Sequence, residues 1–154
     1  MRIILRVLIT ILMYCGFVYT NDQNVCSEFS FILKPSSIEG VGVFATHDIP
    51  AGTKILINNY VLRTLKVTEI PQAFVRYCIH INEKECLCPA RFDRMEIDWY
   101  INHSDNPNIA VESSLDLDHA LYCAVRDIKA GDEIFIDYNS LNEPEDLKED
   151  FYKK

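Results

Sequence analysis

The chain's densest polar cluster is Asn102-His103-Ser104-Asp105-Asn106-Pro107-Asn108, set directly after the apolar run Ile97 to Ile101. Polar side chains crowded after a buried segment often form a loop that satisfies its own backbone. The same residues could form a ligand loop, and the segment by itself leaves both readings open. Gly40-Val41-Gly42 is a G-x-G at a strand start, where the backbone can approach a ligand closely. It lacks the third glycine and the following helix of a dinucleotide fingerprint. Asp137-Tyr138 ends the apolar stretch Ile134-Phe135-Ile136, placing a phenol at a strand end. His47, His80 and His119 stand singly, and no Ser/His/Asp or Cys/His triad spacing is evident. The six cysteines are Cys15, Cys26, Cys78, Cys86, Cys88 and Cys123. None forms C-x-x-C, and the lone C-x-C at 86–88 is followed by no ligand-spaced His or Cys, so they read as buried or free thiols rather than a zinc site.

Four blocks occur in order: G-x-G-V-F-A from Gly40, D-I-x-A-G from Asp48, N-H-S-x-x-P-N from Asn102, and R-D-I-x-A-G-D-E-x-x-x-D-Y from Arg126. Together they resemble the SET-domain protein-lysine methyltransferases over residues 30–139, in the short form of small bacterial or viral members. The resemblance implies S-adenosylmethionine as cofactor. It assigns Gly40, Val41 and Gly42 to the cofactor's methionine part, and Asn102 and His103 to its amino-acid end and adenine. Tyr138 becomes the catalytic tyrosine, lining the channel where lysine meets the methyl group and touching the cofactor. The resemblance also implies a C-terminal segment passing beneath the 102–108 loop as a pseudoknot. Several positions depart from the family pattern. Asn58, with Tyr60 two residues on, stands where a second channel tyrosine is common. Ile136 stands where Phe or Tyr influences how many methyls are added. Trp99-Tyr100-Ile101 replaces the usual Arg-Phe. No C-terminal C-x-C-x4-C zinc motif follows, so the tail must cover the channel by other means or not at all.

That chemistry needs positioning more than reactive side chains. A free lysine amine titrates near about 10.4 and must arrive neutral. An apolar channel beside a positive sulfur would lower that value. Orienting the two reactants can remove roughly 7–11 kcal/mol of barrier at most. Neither a metal nor a covalent nucleophile is required.

The elements around these residues read as mainly β, with one or two short helices. Phe29, Phe31 and Leu33 alternate with polar neighbours up to Pro35, and Val41, Val43 and Ala45 share one side of a strand. Strands are also predicted at 54–57, 60–65, 120–125 and 133–138, with a hairpin of 78–81 and 85–88 around 82–84. Residues 68–77 form the best helix candidate, capped by Thr68 with Pro71 in its first turn. Residues 141–151 form a second, acidic one, with Pro144 at its start. The pattern A-x-x-D-I-x-A-G-x-x-I occurs at Ala45 to Ile55 and again at Ala124 to Ile134. It predicts two equivalent strand–turn–strand corners. The expected fold is therefore a β-rich, SET-like arrangement of small curved sheets. It divides into a hydrophobic N-terminal segment (1–25), the SET domain (26–140) and an acidic tail (141–154).

The chain has 154 residues and a formal net charge of -8. That size suits one self-sufficient domain, and that sign disfavours direct nucleic-acid binding. Residues 93–137 alone hold 3 basic and 11 acidic residues. This predicts an acidic rim at the channel, suited to a Lys/Arg-rich protein segment such as that of a histone or histone-like substrate. A solvated acidic loop around Asp116 and Asp118, with no docking role, is the plainer alternative. Met1 to Tyr19 has two arginines and then 13 uncharged residues. That is short of the about 20 of a spanning helix but within the roughly 7–15 of a signal-peptide core. It lacks a small-x-small cleavage site. Signal, interfacial anchor, hydrophobic N-terminal element and early start codon all stay open. Membrane contact is expected only through residues 1–20. The location is exported or membrane-anchored if the segment works as a signal, and intracellular (cytoplasm or host nucleus) if it does not. The primary expectation is a lysine methyltransferase. Its rivals are a catalytically inactive SET-like binding module and an exported protein with paired cysteines.

Overall fold

The first hairpin closes at 36–40, where Gly40 takes φ +51° in the left-handed region. There the Ser36 N–H donates to the Gly40 carbonyl at 3.1 Å. The turn joins β1 (Phe31–Pro35) to β2 (Val41–Ala45) with Phe31 opposite Ala45 and Pro35 opposite Val41. The computed structural model describes residues 26–57, 62–113 and 121–153. Along the chain follow β3 (Lys54–Ile55), β4 (Arg63–Lys66), helix α1 (Gln72–Val75), β5 (Ile79–His80) and β6 (Glu85–Cys88). Then come β7 (Asn102–His103), β8 (Ile109–Ser113), β9 (Leu121–Ala124) and β10 (Phe135–Ile136). Among the described residues they build four small sheets, ordered β1-β2, β3-β9-β8, β4-β6-β5 and β10-β7. The first three are antiparallel, while β7 and β10 pair in parallel. This is the β-rich, SET-like architecture expected.

The repeated pattern explains the centre of the core. Its two copies face each other: Ile49 and Ile128 exchange backbone hydrogen bonds of 2.8 and 2.9 Å. The Asp48 carboxylate accepts from the Ala130 N–H, and the Asp127 carboxylate accepts from the Ala51 N–H, both at 2.9 Å. Each corner turns on a glycine at positive φ, Gly52 at 83° and Gly131 at 92°. The leading alanine and both isoleucines of each copy (Ala45, Ile49, Ile55, Ala124, Ile128, Ile134) join Val43, Ile101, Ile109 and Ile136 in one buried cluster. A second cluster, under the β4-β6-β5 sheet, is built on Ile70, Cys86 and Cys88.

Several local expectations are corrected. The helix predicted at 68–77 is a 3₁₀ turn, Val67–Glu69, followed by the single turn α1. Ile70 between them is extended, as a residue preceding proline prefers, and Pro71 rather than Thr68 stands at the helix N-cap. Val41 and Leu33 are exposed although Val43 and Phe31 are buried: β2 packs on the core over Gly42, Val43 and Ala45, whereas β1 is exposed beyond Phe31. Phe29 precedes the strand and is 76% exposed. The apolar run before Asn102 is a 3₁₀ turn, Ile97–Tyr100, not a strand. The tail is helical only over Glu145–Leu147, as a 3₁₀ turn with Pro144 at its N-cap. The expectations for residues 1–25, for Asn58 and Tyr60, and for Asp116 and Asp118 lie outside the described residues. Among the described residues, no helix is long and apolar enough to cross a membrane.

Candidate functional site

The parallel β7–β10 pair brings the polar cluster to the strand that ends in Asp137-Tyr138. Asn102 lies opposite Phe135 and His103 opposite Ile136. The Ser104 N–H then donates to the Ile136 carbonyl at 3.0 Å. Asn108 closes the loop's far end. Its side-chain amide donates to the Glu133 carbonyl at 2.7 Å, and its Oδ1 accepts from the Phe135 N–H at 2.8 Å. A buried asparagine here replaces a missing strand and satisfies backbone groups of the neighbouring segment, while within the loop the Asn106 N–H donates to Ser104 Oγ at 3.1 Å. The Asn108 bonds hold 102–108 against the segment running to Tyr138.

Asn102 reaches the Gly40-Val41-Gly42 segment through a residue that sequence reading passed over. Its Nδ2 donates to Glu133 Oε1 at 2.8 Å and lies 3.4 and 3.5 Å from the Glu39 and Val41 carbonyls. Three acceptors around one amide nitrogen fix the carboxamide's orientation and turn Oδ1 away from them. Glu133 is buried and also accepts from Ser36 Oγ at 3.0 Å. Gly42 is buried against that carboxylate, whereas beside Gly40 a Cβ would meet nothing within 4 Å. Glu133 was visible in the A-G-D-E stretch, but only as the first residue of a predicted strand.

His103 and Tyr138 form the next layer. The His103 side chain is 8% exposed and its Nδ1 accepts from the Tyr138 N–H at 3.2 Å, so a neutral ring carries its proton on Nε2. The two rings lie 5.4 Å apart. The Tyr138 hydroxyl donates to the Ile101 carbonyl at 2.8 Å. Burial pushes its pKa up to about 12, with the Glu39 and Glu149 charges adding and Arg76 opposing. The structure thus gathers Val41, Gly42, Asn102, His103 and Tyr138 around one region, with Gly40 at its open margin.

The tail completes the region. The Asn139 side chain donates to the Tyr152 carbonyl and accepts from Lys148 Nζ, both at 2.9 Å. Tyr152 thereby stacks 5.4 Å from Tyr138 and 5.9 Å from His103. Phe151 lies 6.3 Å from both rings. The Tyr152 hydroxyl donates to Glu143, whose other oxygen accepts from the His80 N–H at 2.8 Å. The only sequence signal for this wall was an aromatic pair inside an acidic tail.

A family model described as the SET domain matches residues 40–139. The chain belongs to the SET-domain family. The SET match spans the G-x-G segment, the 102–108 loop and Tyr138, all of which the fold draws together. Among solved structures, it resembles a Plasmodium falciparum chain described as a candidate histone methyltransferase. Identity there is 25%, the TM-score is 0.50, and the match covers 71% of this chain and 93% of that one. The methyltransferase domain of human PR domain-containing protein 2 shares the fold at 20% identity and TM-score 0.52, covering 77% and 82%. A humanized mutant of the Chaetomium thermophilum Polycomb Repressive Complex 2 shares it at 24% identity and TM-score 0.53, covering 77% of this chain and 16% of that one. No curated protein sequence matches the chain.

Proposed function

We propose that this SET domain transfers a methyl group from S-adenosylmethionine to the ε-amine of a lysine in a protein. The observation that carries the reading is the convergence of Asn102, His103 and Tyr138 on the β7–β10 pair, with the Gly40–Gly42 backbone joined to them through Glu133.

The residues fit that cofactor. The Oδ1 of Asn102, on the side of the carboxamide away from the three acceptors around Nδ2, is an acceptor suited to an ammonium group, and the backbone beside Gly40 is open to a ligand. When bound, S-adenosylmethionine supplies a sulfonium-activated methyl that a neutral amine takes by in-line displacement. Tyr138, anchored by its hydroxyl to Ile101, offers a rigid wall and a phenol oxygen to orient that amine. Its raised pKa keeps it a neutral donor throughout the physiological range.

Two fields act on the lysine in sequence. Glu39, ion-paired with Arg76, and Glu149 are near enough to shift Tyr138, and their carboxylates would favour a cationic side chain on approach, with Arg76 offsetting part of that field. Carboxylates alone would hold the amine charged. The rings of His103, Tyr138, Phe151 and Tyr152 oppose that by excluding water, which favours the neutral form. We take the substrate to be a Lys/Arg-rich segment, with histones as the first candidates.

The test is transfer of labelled methyl from S-adenosylmethionine to histones and to proteins of a bacterial lysate. Label should appear on lysine, and Tyr138→Phe should cut the rate by about 10²–10³-fold, the usual cost of one oriented donor. Transfer unaffected by that change would overturn the role of Tyr138. Cofactor binding with no transfer to any protein would make the chain a binding module instead.

A further inference from the structure

Three cysteines and a histidine gather at the β5–β6 hairpin, with Cys78 in the bend just before β5, and none of their side chains enters the site described above. The register pairs Ile79 with Leu87 and His80 with Cys86, and extended one residue beyond the strand, into the bend before β5, it would set Cys78 opposite Cys88. The Ile81 N–H donates to the Glu85 carbonyl at 2.9 Å, which marks 81 and 85 as a hydrogen-bonded pair. Pair types alternate along an antiparallel ladder, so 80/86 and 78/88 are non-hydrogen-bonded pairs. Their Cα atoms approach to about 4.5 Å and their side chains lean together. The side chains agree: Cys88 Sγ lies 3.2 Å from Cys78 Sγ, and Cys86 Sγ lies 3.4 Å from His80 Nδ1. A disulfide tolerates Cα separations of about 4.4–6.8 Å and needs its sulfurs at about 2.05 Å. The register already meets the backbone condition. Side-chain rotation must close only about 1 Å between the sulfurs.

The geometry points to a reversible cross-strand disulfide between Cys78 and Cys88, formed when the protein meets a hydroperoxide. Cys78 is half-buried, whereas Cys86 and Cys88 are fully buried, so the peroxide reaches Cys78 first. The Cys78 sulfur attacks the peroxide oxygen, the O–O bond breaks, and a sulfenic acid and one water result. The Cys88 sulfur then attacks that sulfenic sulfur, and the hydroxyl leaves as a second water with the Cys88 proton. Two thiols are oxidised and one peroxide is reduced. Burial raises the pKa of all three thiols, that of Cys86 to about 11. The pair therefore rests as thiols until oxidant is present, and its oxidation speeds up with rising pH. The bond staples β5, whose His80 N–H holds Glu143 and through it Tyr152. Redox state is thereby linked to the anchorage of the tail over Tyr138.

The experiment treats the full chain with hydrogen peroxide, blocks remaining thiols and digests with trypsin without reductant. Cleavage after Arg76, Lys84 and Arg91 separates Cys78 from Cys86 and Cys88. The expected product is peptides 77–84 and 85–91 joined as one species, two hydrogens lighter than their sum and split again by dithiothreitol. The link persists in Cys86→Ala and is lost in Cys88→Ser, and the oxidised chain melts about 5–10 °C higher. Separate peptides with alkylated thiols after peroxide overturn the proposal, and the wild-type chain alone decides this. A link lost in Cys86→Ala overturns the pairing. One tightly held zinc ion per chain, protecting the thiols from alkylation, would make the cluster a metal site instead.

Discussion

The Glu133 carboxylate occupies the space that a side chain on Gly42 would need. A Cβ there would stand 2.7 Å from the Glu133 Cδ and 3.2 Å from its Cγ. Gly42 is therefore required for room, unlike Gly40, whose requirement is its left-handed φ beside open space. Gly42→Ala should destabilise the fold by about 1–3 kcal/mol, as overpacking does, and weaken binding of S-adenosylmethionine. The same substitution in a Glu133→Ala background should add little further loss, because the obstructing side chain is gone. Urea unfolding of the four chains completes the cycle. An undiminished Gly42→Ala penalty without Glu133 would sink the account.

Ile49 and Ile128 hold equivalent places in the two facing corners, each 1% exposed. Ile→Val at either should cost about 0.5–1.5 kcal/mol, and the two costs should be similar. Their sum should differ from the cost of the double variant, since the sites share one bridge. Strict additivity in denaturant unfolding would show that the corners are energetically separate.

Tyr138 sets an alkaline limit. Its pKa is raised from the ordinary value of about 10 to about 12 by burial. The folded state prefers the neutral phenol. Its contribution is thus fully present below pH 10 and fades as pH rises toward 12, by roughly 2–3 kcal/mol in total. Tyr138→Phe should make the fall of stability with pH shallower in that window. Tyr122 and Tyr152 are shifted in the same direction and keep the remaining slope. Urea midpoints measured between neutral pH and pH 12 check this, and an unchanged slope would contradict it.

Phe151 should matter more for turnover than for folding. It is 61% exposed, so Phe151→Ala removes little buried area, yet it takes one ring from the wall beside His103 and Tyr138. The expected result is a melting temperature close to wild type and a raised KM for the lysine substrate. A large fall in melting temperature with unchanged KM would assign the ring to stability alone.

Glu39 and Glu149 should draw basic substrates by a screened field. Affinity for a Lys/Arg-rich peptide should drop as salt shortens the Debye length from about 10 Å at 0.1 M. Glu149→Gln should flatten that dependence. A salt-independent KM in the wild-type protein would indicate that the acidity has no docking role.

The order of motif blocks announced the family, and the periodic A-x-x-D-I-x-A-G-x-x-I pattern announced the two corners. Both are local signals, carried by residues close in sequence. Other features depended on contacts that local pattern does not encode. Residues 68–77 read as a helix on Thr68 as cap and Pro71 in the first turn, yet Ile70, held extended before Pro71, splits the segment into two short turns. Much of the acidity at 93–137 reads as a docking rim. In the fold, Asp127, Asp132 and Glu133 accept hydrogen bonds from Ala51, Lys129 and Asn102. Glu133 escaped notice because its partners, Ser36 and Asn102, lie 97 and 31 residues away. Phe151 and Tyr152 escaped because nothing nearby says that the tail folds back.

The parallel pairing of Asn102–His103 with Phe135–Ile136 makes the pocket a late product of folding. Contacts this far apart in sequence form slowly, since chain entropy must be lost before they reward it. A ribosome-bound chain lacking β10 has the G-x-G turn and the asparagine loop but not the strand that orders Asn102 and His103. A ligand recognised by this constellation favours chains in which β10 has already paired with β7. By mass action it then withdraws them from the unfolded pool, so occupancy of the site reports that the β7–β10 pairing has formed.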